Sequence, residues 1–262
     1  MTKKVKALVL TGYGLNTDYE IQLAFERAGA WAERVNLNDI ISAKARLEDF
    51  QIFAIPGGFA FADDIGAGKV LATKLKVHLL DKLIRFIEDG RLILGVCNGF
   101  QVLIKLGLLP ALTRYGVQEA TLTFNDSGRF EDRWVYLKTN KNSKCVFTKD
   151  IESLYLPVRH GEGKFIPRDE HVLKQLEENG QIVLKYVDAC GQEAGYPWNP
   201  NGSIGNIAGI CDPTRRVLGL MPHPEAFLFK MNHPRWTREE LPEEGQGLKI
   251  FKNAVEYVKR IL

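Results

Sequence analysis

Apolar positions along the chain follow two alternating rhythms. Compact runs at residues 6–10, 31–37, 51–55 and 92–96 read as buried strands, and the stretches between them repeat apolar residues every third or fourth position, as a helix face does. The first such stretch carries Ile21, Ala24, Phe25 and Ala28 and stops at Gly29. It opens on Thr17-Asp18-Tyr19-Glu20, which has the form of a capping box. A longer one sets Leu71, Leu75, Leu79, Leu83 and Phe86 on one stripe and ends at Gly90. Strand and helix in alternation predict parallel βαβ units, with any active site at the carboxyl ends of the strands.

The pattern changes after a helix that ends near Gly107. Residues 117–124, 134–137 and 155–158 read as strands without long helices between them, which predicts a small antiparallel extension. His160-Gly161-Glu162-Gly163-Lys164 reads as a glycine-rich loop, residues 170–178 as a short helix, and residues 182–187, 203–210 and 217–221 as further strands. An irregular stretch containing Pro234, Trp236 and Pro242 follows. The chain then closes on a helix with Leu248, Phe251, Val255, Val258 and Leu262 on one face. No internal repeat or linker composition interrupts it. The fold class is therefore α/β, a mostly parallel sheet flanked by helices with a small antiparallel extension, in a single domain over residues 1–262.

Composition narrows the function. With 262 residues, 45% of them hydrophobic and 26% charged, the chain can bury a substantial core. The net charge of only +3, and the lack of a dense basic block interleaved with aromatics, argue against a nucleic-acid partner. No apolar run approaches membrane-spanning length, and Met1-Thr2-Lys3-Lys4-Val5 leads into a strand instead of a signal peptide's apolar segment. Cys97, Cys145, Cys190 and Cys211 are widely spaced, with no CxxC pair, which speaks against a disulfide framework or a zinc site and for a reducing, cytoplasmic setting.

The candidate chemistry begins at Gly95-Val96-Cys97-Asn98-Gly99-Phe100-Gln101. An apolar strand turns there into a helix around a cysteine flanked by glycines, the form of a nucleophile elbow, and the helix N-terminus favours thiolate. Taken alone, Cys97 is equally readable as a small buried hydrophobe. His223 ends a strand, and Pro224 biases it toward extended geometry, so that Glu225 projects to the same side and reaches the ring. Alone, it too reads as a structural histidine in a turn. Thiol, imidazole and carboxylate together supply nucleophile, proton carrier and orienting acid. Pro56-Gly57-Gly58 follows another buried strand, and amides of Gly58 or its neighbour and of Asn98 would form an oxyanion hole, worth about 3 kcal/mol per donor in other enzymes. Gly66-Ala67-Gly68-Lys69 resembles part of a phosphate loop, but Asp63 and Val70 stand where glycine and Ser/Thr are needed, so no ATP site is expected here. His160 and Glu162 lack the companions a metal site requires, and no metal is expected.

The elbow and the downstream His223-Pro224-Glu225 resemble those of the triad glutamine amidotransferases. Further motifs resemble, more narrowly, the glutaminase subunits of phosphoribosylformylglycinamidine synthases: Pro56-Gly57-Gly58-Phe59, His160-Gly161-Glu162-Gly163-Lys164-Phe165, Asn199-Pro200-Asn201-Gly202-Ser203, Ile207-Ala208-Gly209-Ile210-Cys211-Asp212 and Gly219-Leu220-Met221-Pro222-His223. The likeness runs from the first strand to about Glu225. It implies Cys97 as nucleophile, His223 as base and Glu225 as orienting acid. It also implies oxyanion amides at Gly57, Gly58 and Asn98, a substrate contact at Gln101, and Asn125 and Phe130 in the wall of the glutamine pocket. The sequence departs from the family pattern at Ala60, Phe61 and Ala62, although Asp63 is kept, and at Gly66 and Ala226 where arginine is common.

The resemblance further implies hydrolysis of glutamine to glutamate and ammonia without a cofactor in this subunit. The ammonia would pass to a large synthetase subunit that uses ATP and Mg, with a small accessory subunit. Residues 60–64 and 227–242 are the candidate docking segments. Three rival readings stand beside this one: a glutaminase subunit for another pathway, a non-catalytic regulatory scaffold, and a cysteine peptidase of related fold. The peptidase is disfavoured because Asn98 stands where its base would follow the nucleophile.

Overall fold

A computed structural model describes residues 4–261; Met1, Thr2 and Lys3 of the basic N-terminus and Leu262 of the last apolar stripe lie outside the described residues. The first part of the chain alternates as the periodicity predicts: β1 (Lys6–Thr11), α1 (Asp18–Arg27), β2 (Trp31–Asn36), a short α2 (Leu37–Ile41), β3 (Ile52–Ile55), α3 (Lys69–Glu88), β4 (Leu92–Val96) and α4 (Asn98–Leu106). Then come β5 (Ala120–Phe124), β6 (Glu131–Thr139), β7 (Ser153–His160), β8 (Glu162–Pro167), α5 (Glu170–Glu178), β9 (Ile182–Val187), β10 (Ile207–Cys211), β11 (Val217–Leu220) and α6 (Leu248–Ile261).

Nine strands form one sheet in the order β2-β1-β3-β4-β11-β10-β9-β6-β7, and β5 pairs with β8 in a separate antiparallel ribbon. The pairings from β2 through β11 are parallel and those from β11 to β7 antiparallel, so the antiparallel strands continue the main sheet. From β1 the chain crosses one way to β2, and from β3 the other way to β4. Right-handed crossovers in opposite directions put α1 and α3 on opposite faces and leave a switch point between the carboxyl ends of β1 and β3.

Burial explains the elements. Ala7 to Leu10, Ile52 to Ile55 and Leu92 to Val96 are buried throughout, as strands covered on both faces must be. Leu71, Leu75, Leu79, Leu83 and Phe86 of α3 are buried together, and Phe25 of α1 meets Phe251 of α6 edge to face at 5.0 Å.

Three local expectations need correction, and residues 227–242 prove only partly exposed. Thr17 stands at the start of α1, but its side chain does not cap the helix; it accepts from the backbone of Gly57 instead, at 2.9 Å. The helix forgoes a cap worth about 1 kcal/mol and keeps the favourable charge of Asp18 and Glu20 in its first turn. Residues 160–164 are not a loop: β7 and β8 meet at Gly161 alone, and Asn125 Oδ1 accepts from Gly163 N–H at 3.0 Å behind that turn. Leu37, expected in a strand, starts α2 because the Asn36 side chain accepts from Asn38 N–H and caps it. Within residues 227–242, Phe227 and His233 are buried beside Trp134, at ring-centroid distances of 5.3 and 5.5 Å, whereas Met231 and Trp236 stay exposed.

The stripe on α3 carries a measurable stability term. Leu83 is fully buried and Val77, on the same helix, is 71% exposed. Leu83→Ala is expected to cost about 2–5 kcal/mol in denaturant unfolding and Val77→Ala less than about 0.5 kcal/mol; similar losses for the two would contradict the packing described.

Candidate active site

Cys97 follows β4 in a conformation L-residues rarely adopt, φ 52° and ψ −106°. Close packing holds it there: a Cβ at Gly99 would lie 2.0 Å from the Ile55 carbonyl oxygen, so the helix reaches its strand only because position 99 has no side chain. The Cys97 N–H donates to Leu220 O at 2.8 Å, and its thiol faces the Arg159 carbonyl at 3.6 Å. It sits at the N-terminus of α4.

His223 reaches the same edge because β11 runs parallel beside β4 with Leu220 opposite Val96. Its backbone N–H donates to Pro157 O at 2.8 Å, and its Nδ1 lies 2.6 Å from Glu225 Oε1. Residues 224–226 form a 3-10 turn, so Glu225 meets the ring from a turn rather than from the extended backbone expected. Nδ1–H donates to the carboxylate, and Nε2 has no partner among the described residues. Burial alone would discharge the imidazole; the Glu225 carboxylate and then the Cys97 thiolate outweigh it and raise the His223 pKa to about 10. A charged His223 therefore adds stability that is fully present below the ordinary value of 6.5 and is lost as pH rises through about 10.

The loop after β3 presents one amide to this pair. Gly57 N–H is taken by Thr17 Oγ1, which removes Gly57 from the expected oxyanion donors. Gly57 C=O accepts from Asn16 N–H at 3.0 Å and from Thr17 N–H at 3.4 Å. In a trans peptide the next N–H points the opposite way, so that of Gly58 turns from residues 16–17 toward the cavity Gly58 lines. Asn98 is the first residue of α4, and its backbone N–H is one of the donors that a helix start leaves free.

That cavity, about 130 Å³, is lined by Gly58, Cys97, Gln101, Phe130, His160 and Glu162 among others. Its size suits a small side chain rather than a nucleotide. Larger cavities of about 790 and 850 Å³, bordered by residues such as Lys141 and Glu152, do not contain Cys97, and His223 lines none of the three. Phe59, Phe124 and Phe130 stand at the mouth, 48, 70 and 52% exposed.

Phe130 and Gln101 line the cavity, and the Gln101 amide is engaged by the Glu162 carbonyl and by Asn98 Nδ2. Asn125 does not line it. Its side chain donates to the carbonyls of Arg129 and His160 and accepts from His160 and from Gly163 N–H, all behind the wall. His160 is fixed there as a neutral ring, its pKa pushed down to about 3 by burial and by the charge on His223. Sequence reasoning missed Glu162 and Asp63 as wall residues and Thr17 as a support. Nothing local distinguishes Thr17 from a helix cap.

Asn98 ties the elbow to the loop above it. Its Oδ1 accepts from Ala60 N–H at 3.2 Å and its Nδ2 donates to Asp63 Oδ1 at 3.1 Å. Burial raises the Asp63 pKa against the donors Gly68 N–H and Asn98, and burial lowers that of Lys105, whose ammonium donates to Ala67 O.

Two predictions test this geometry. Glu225→Gln is expected to move the His223 titration from about 10 toward the ordinary 6.5, followed by NMR of the ring, because the main attraction opposing burial is gone. An unmoved titration would show that the carboxylate does not set the charge. A Cβ at Gly57 would meet His223 Cε1 at 2.9 Å and Cys97 Cβ at 3.4 Å, so Gly57→Ala is expected to cut turnover at least tenfold in a folded protein, as misplaced groups do. Wild-type turnover would mean that the ring has room to spare.

The chain is similar to known proteins over nearly its whole length. Residues 4–258 match the CobB/CobQ-like glutamine amidotransferase domain family. The phosphoribosylformylglycinamidine synthase subunit PurQ of Dehalococcoides mccartyi is 49% identical over 98% of this chain and 99% of its own, and that of Archaeoglobus fulgidus 40% identical over 99% of both. Phosphoribosylformylglycinamidine synthase of Schizosaccharomyces pombe is 32% identical over 98% of this chain but only 20% of its own length. Among solved structures, a chain of PurLQS from Thermotoga maritima superposes with a TM-score of 0.73 at 29% identity, covering 98% of this chain and 100% of that one. The chain thus belongs to the CobB/CobQ-like glutamine amidotransferases, and among them to the phosphoribosylformylglycinamidine synthase subunits.

Proposed function

We propose that this chain hydrolyses glutamine with Cys97, His223 and Glu225 and delivers the ammonia to a larger synthetase subunit, in the step of purine biosynthesis that forms phosphoribosylformylglycinamidine. The observation that carries the reading is the meeting of a thiol at a helix N-terminus with a carboxylate-held imidazole at one sheet edge. The membership just described names the reaction that the ammonia feeds.

In this mechanism the Cys97 thiolate attacks the side-chain carboxamide carbon, and the carbonyl oxygen takes up negative charge toward the amides of Gly58 and Asn98. Protonated His223 gives its Nε2 proton to the leaving nitrogen. Ammonia departs and a glutamyl thioester remains. Neutral His223 then takes a proton from water, whose oxygen attacks the thioester; collapse releases glutamate and restores thiolate and imidazolium. Glu225 holds Nδ1–H throughout, fixing the tautomer. The sequence calls on no metal or organic cofactor in this subunit; ATP and Mg belong to the synthetase partner, accompanied by a small accessory subunit. We read residues 1–262 as one glutamine amidotransferase domain, supported by the continuous nine-stranded sheet. No helix among the described residues is long and apolar enough to cross a membrane, and four unpaired thiols suit a cytoplasmic setting.

Cys97→Ala is expected to abolish glutamine-dependent synthesis in the reconstituted complex while synthesis from added ammonium continues, because only glutamine chemistry needs the thiol. Near-normal glutamine turnover by this variant would refute the assignment. The isolated chain is expected to hydrolyse glutamine slowly and to accelerate with synthetase, ATP and ribonucleotide; equal rates would exclude activation by the partner.

A further inference from the structure

The loops that leave β1 and β3 diverge at the switch point of the sheet, and here they are laced together. Gly57 is held at both ends of its backbone by residues 16–17: Thr17 Oγ1 accepts its N–H at 2.9 Å, and the N–H groups of Asn16 and Thr17 donate to its C=O at 3.0 and 3.4 Å. Two residues further on, Phe59 N–H donates to Gly14 O at 2.9 Å, and Phe61 N–H to Tyr13 O at 2.6 Å. The pairing of Leu15 with Gly58 belongs to the class in which the flanking residues exchange hydrogen bonds, which leaves the Gly58 N–H itself unspent.

Gly57 and Gly58 together are the most permissive dipeptide the loop has, and Gly58 stands at φ 142°. Rotation of the peptide between them would withdraw the Gly58 donor and turn a carbonyl oxygen toward the same cavity, replacing stabilisation of an oxyanion by repulsion. The backbone donors of residues 16–17 resist that rotation on the carbonyl side. The Gly57 N–H belongs to the preceding peptide plane, and its one acceptor, the Thr17 hydroxyl, anchors the pivot about which the Gly57–Gly58 peptide would turn; this is the bond for which α1 gives up its cap.

We propose that Thr17 is a positioning residue for glutamine hydrolysis: its hydroxyl fixes Gly57 so that the Gly58 N–H faces the oxyanion. It touches neither substrate nor the reacting atoms. The proposal rests on the reading of Cys97 as nucleophile, and it predicts a defect specific to the transition state, since the ground-state amide gains little from the donor that Thr17 orients.

The test compares Thr17→Val, which keeps the shape and loses the acceptor, with Thr17→Ser, which keeps the acceptor, in the complex reconstituted with the synthetase. Thr17→Val is expected to lower kcat for glutamine 10- to 100-fold, within the loss of one oxyanion donor, with KM changed less than about twofold. Thr17→Ser is expected to stay within about threefold of wild type, and ammonium-dependent synthesis to be unchanged in both. Thr17→Ala replaces the valine variant if thermal melting shows that valine does not fold. The proposal falls if the variant without the hydroxyl keeps wild-type kcat, if KM rises in place of a fall in kcat, or if serine is as impaired as valine. Cys97→Ala is measured in parallel. A dead Cys97→Ala beside an unimpaired Thr17→Val overturns the role of Thr17 alone, whereas glutamine turnover by Cys97→Ala overturns the nucleophile and the Thr17 proposal with it.

Discussion

The parallel ladder that sets Ile55 opposite Gly95 and Leu220 opposite Val96 makes three strands end at one level. From those ends come the Gly57-Gly58 loop, the Cys97 elbow and His223, so the reacting groups converge although more than 160 residues separate the first from the last. A one-residue slip would exchange the two faces of each strand and misfit side chains that are closely packed on both sides, so the register is well fixed. The site inherits its precision from that ladder.

What the ladder brings together it also buries, and burial works against a charged imidazole. The balance goes the other way because Glu225 sits 2.6 Å from Nδ1 and the charge of Cys97 adds a second attraction. His160, buried nearby with an amide oxygen on Nδ1 in place of a carboxylate, goes the opposite way and stays neutral. The two histidines differ by what faces Nδ1, and that difference separates a proton carrier from a pin in the wall. Neutrality also spares His223 a second positive charge beside it.

Much of this was legible in the sequence because it was local or chemically distinctive. The strands with no polar interruption, the stripe from Leu71 to Phe86 and the glycine-flanked Cys97 each carry their own signal. The misreadings share a different cause. Thr17-Asp18-Tyr19-Glu20 has every mark of a capping box, yet a loop about forty residues away in sequence claims the hydroxyl, and no local pattern reports that. Resemblance puts Asn125 in the pocket wall, whereas its amide is engaged by His160, Arg129 and Gly163. Phe227 and His233 lie in an irregular stretch, and only the position of Trp134 on β6 shows that they are covered. Tertiary partners decided each of these, and a sequence names partners only where periodicity or motif does.

The departures from local preference also cluster. Phe61, Ala62, Asp63 and Ile65 all have positive φ, as does Cys97; Phe61 packs against the core, and a short polar web ties Asp63 to the elbow. Asn98 is the hub of that web, since one side chain bonds Ala60, Asp63 and Gln101 while its backbone N–H opens α4 beside the thiol. Glu162 reaches the same loop through Ala67 N–H at 3.4 Å and, through its own carbonyl, takes the Gln101 amide. Strained backbone of this kind costs on the order of 1–3 kcal/mol per residue and persists only where neighbours over-determine it. Moving the loop therefore means breaking bonds to the elbow helix and to the pocket wall at once. The loop, the elbow and the pocket wall are thus joined through the bonds of Asn98, Gln101 and Glu162.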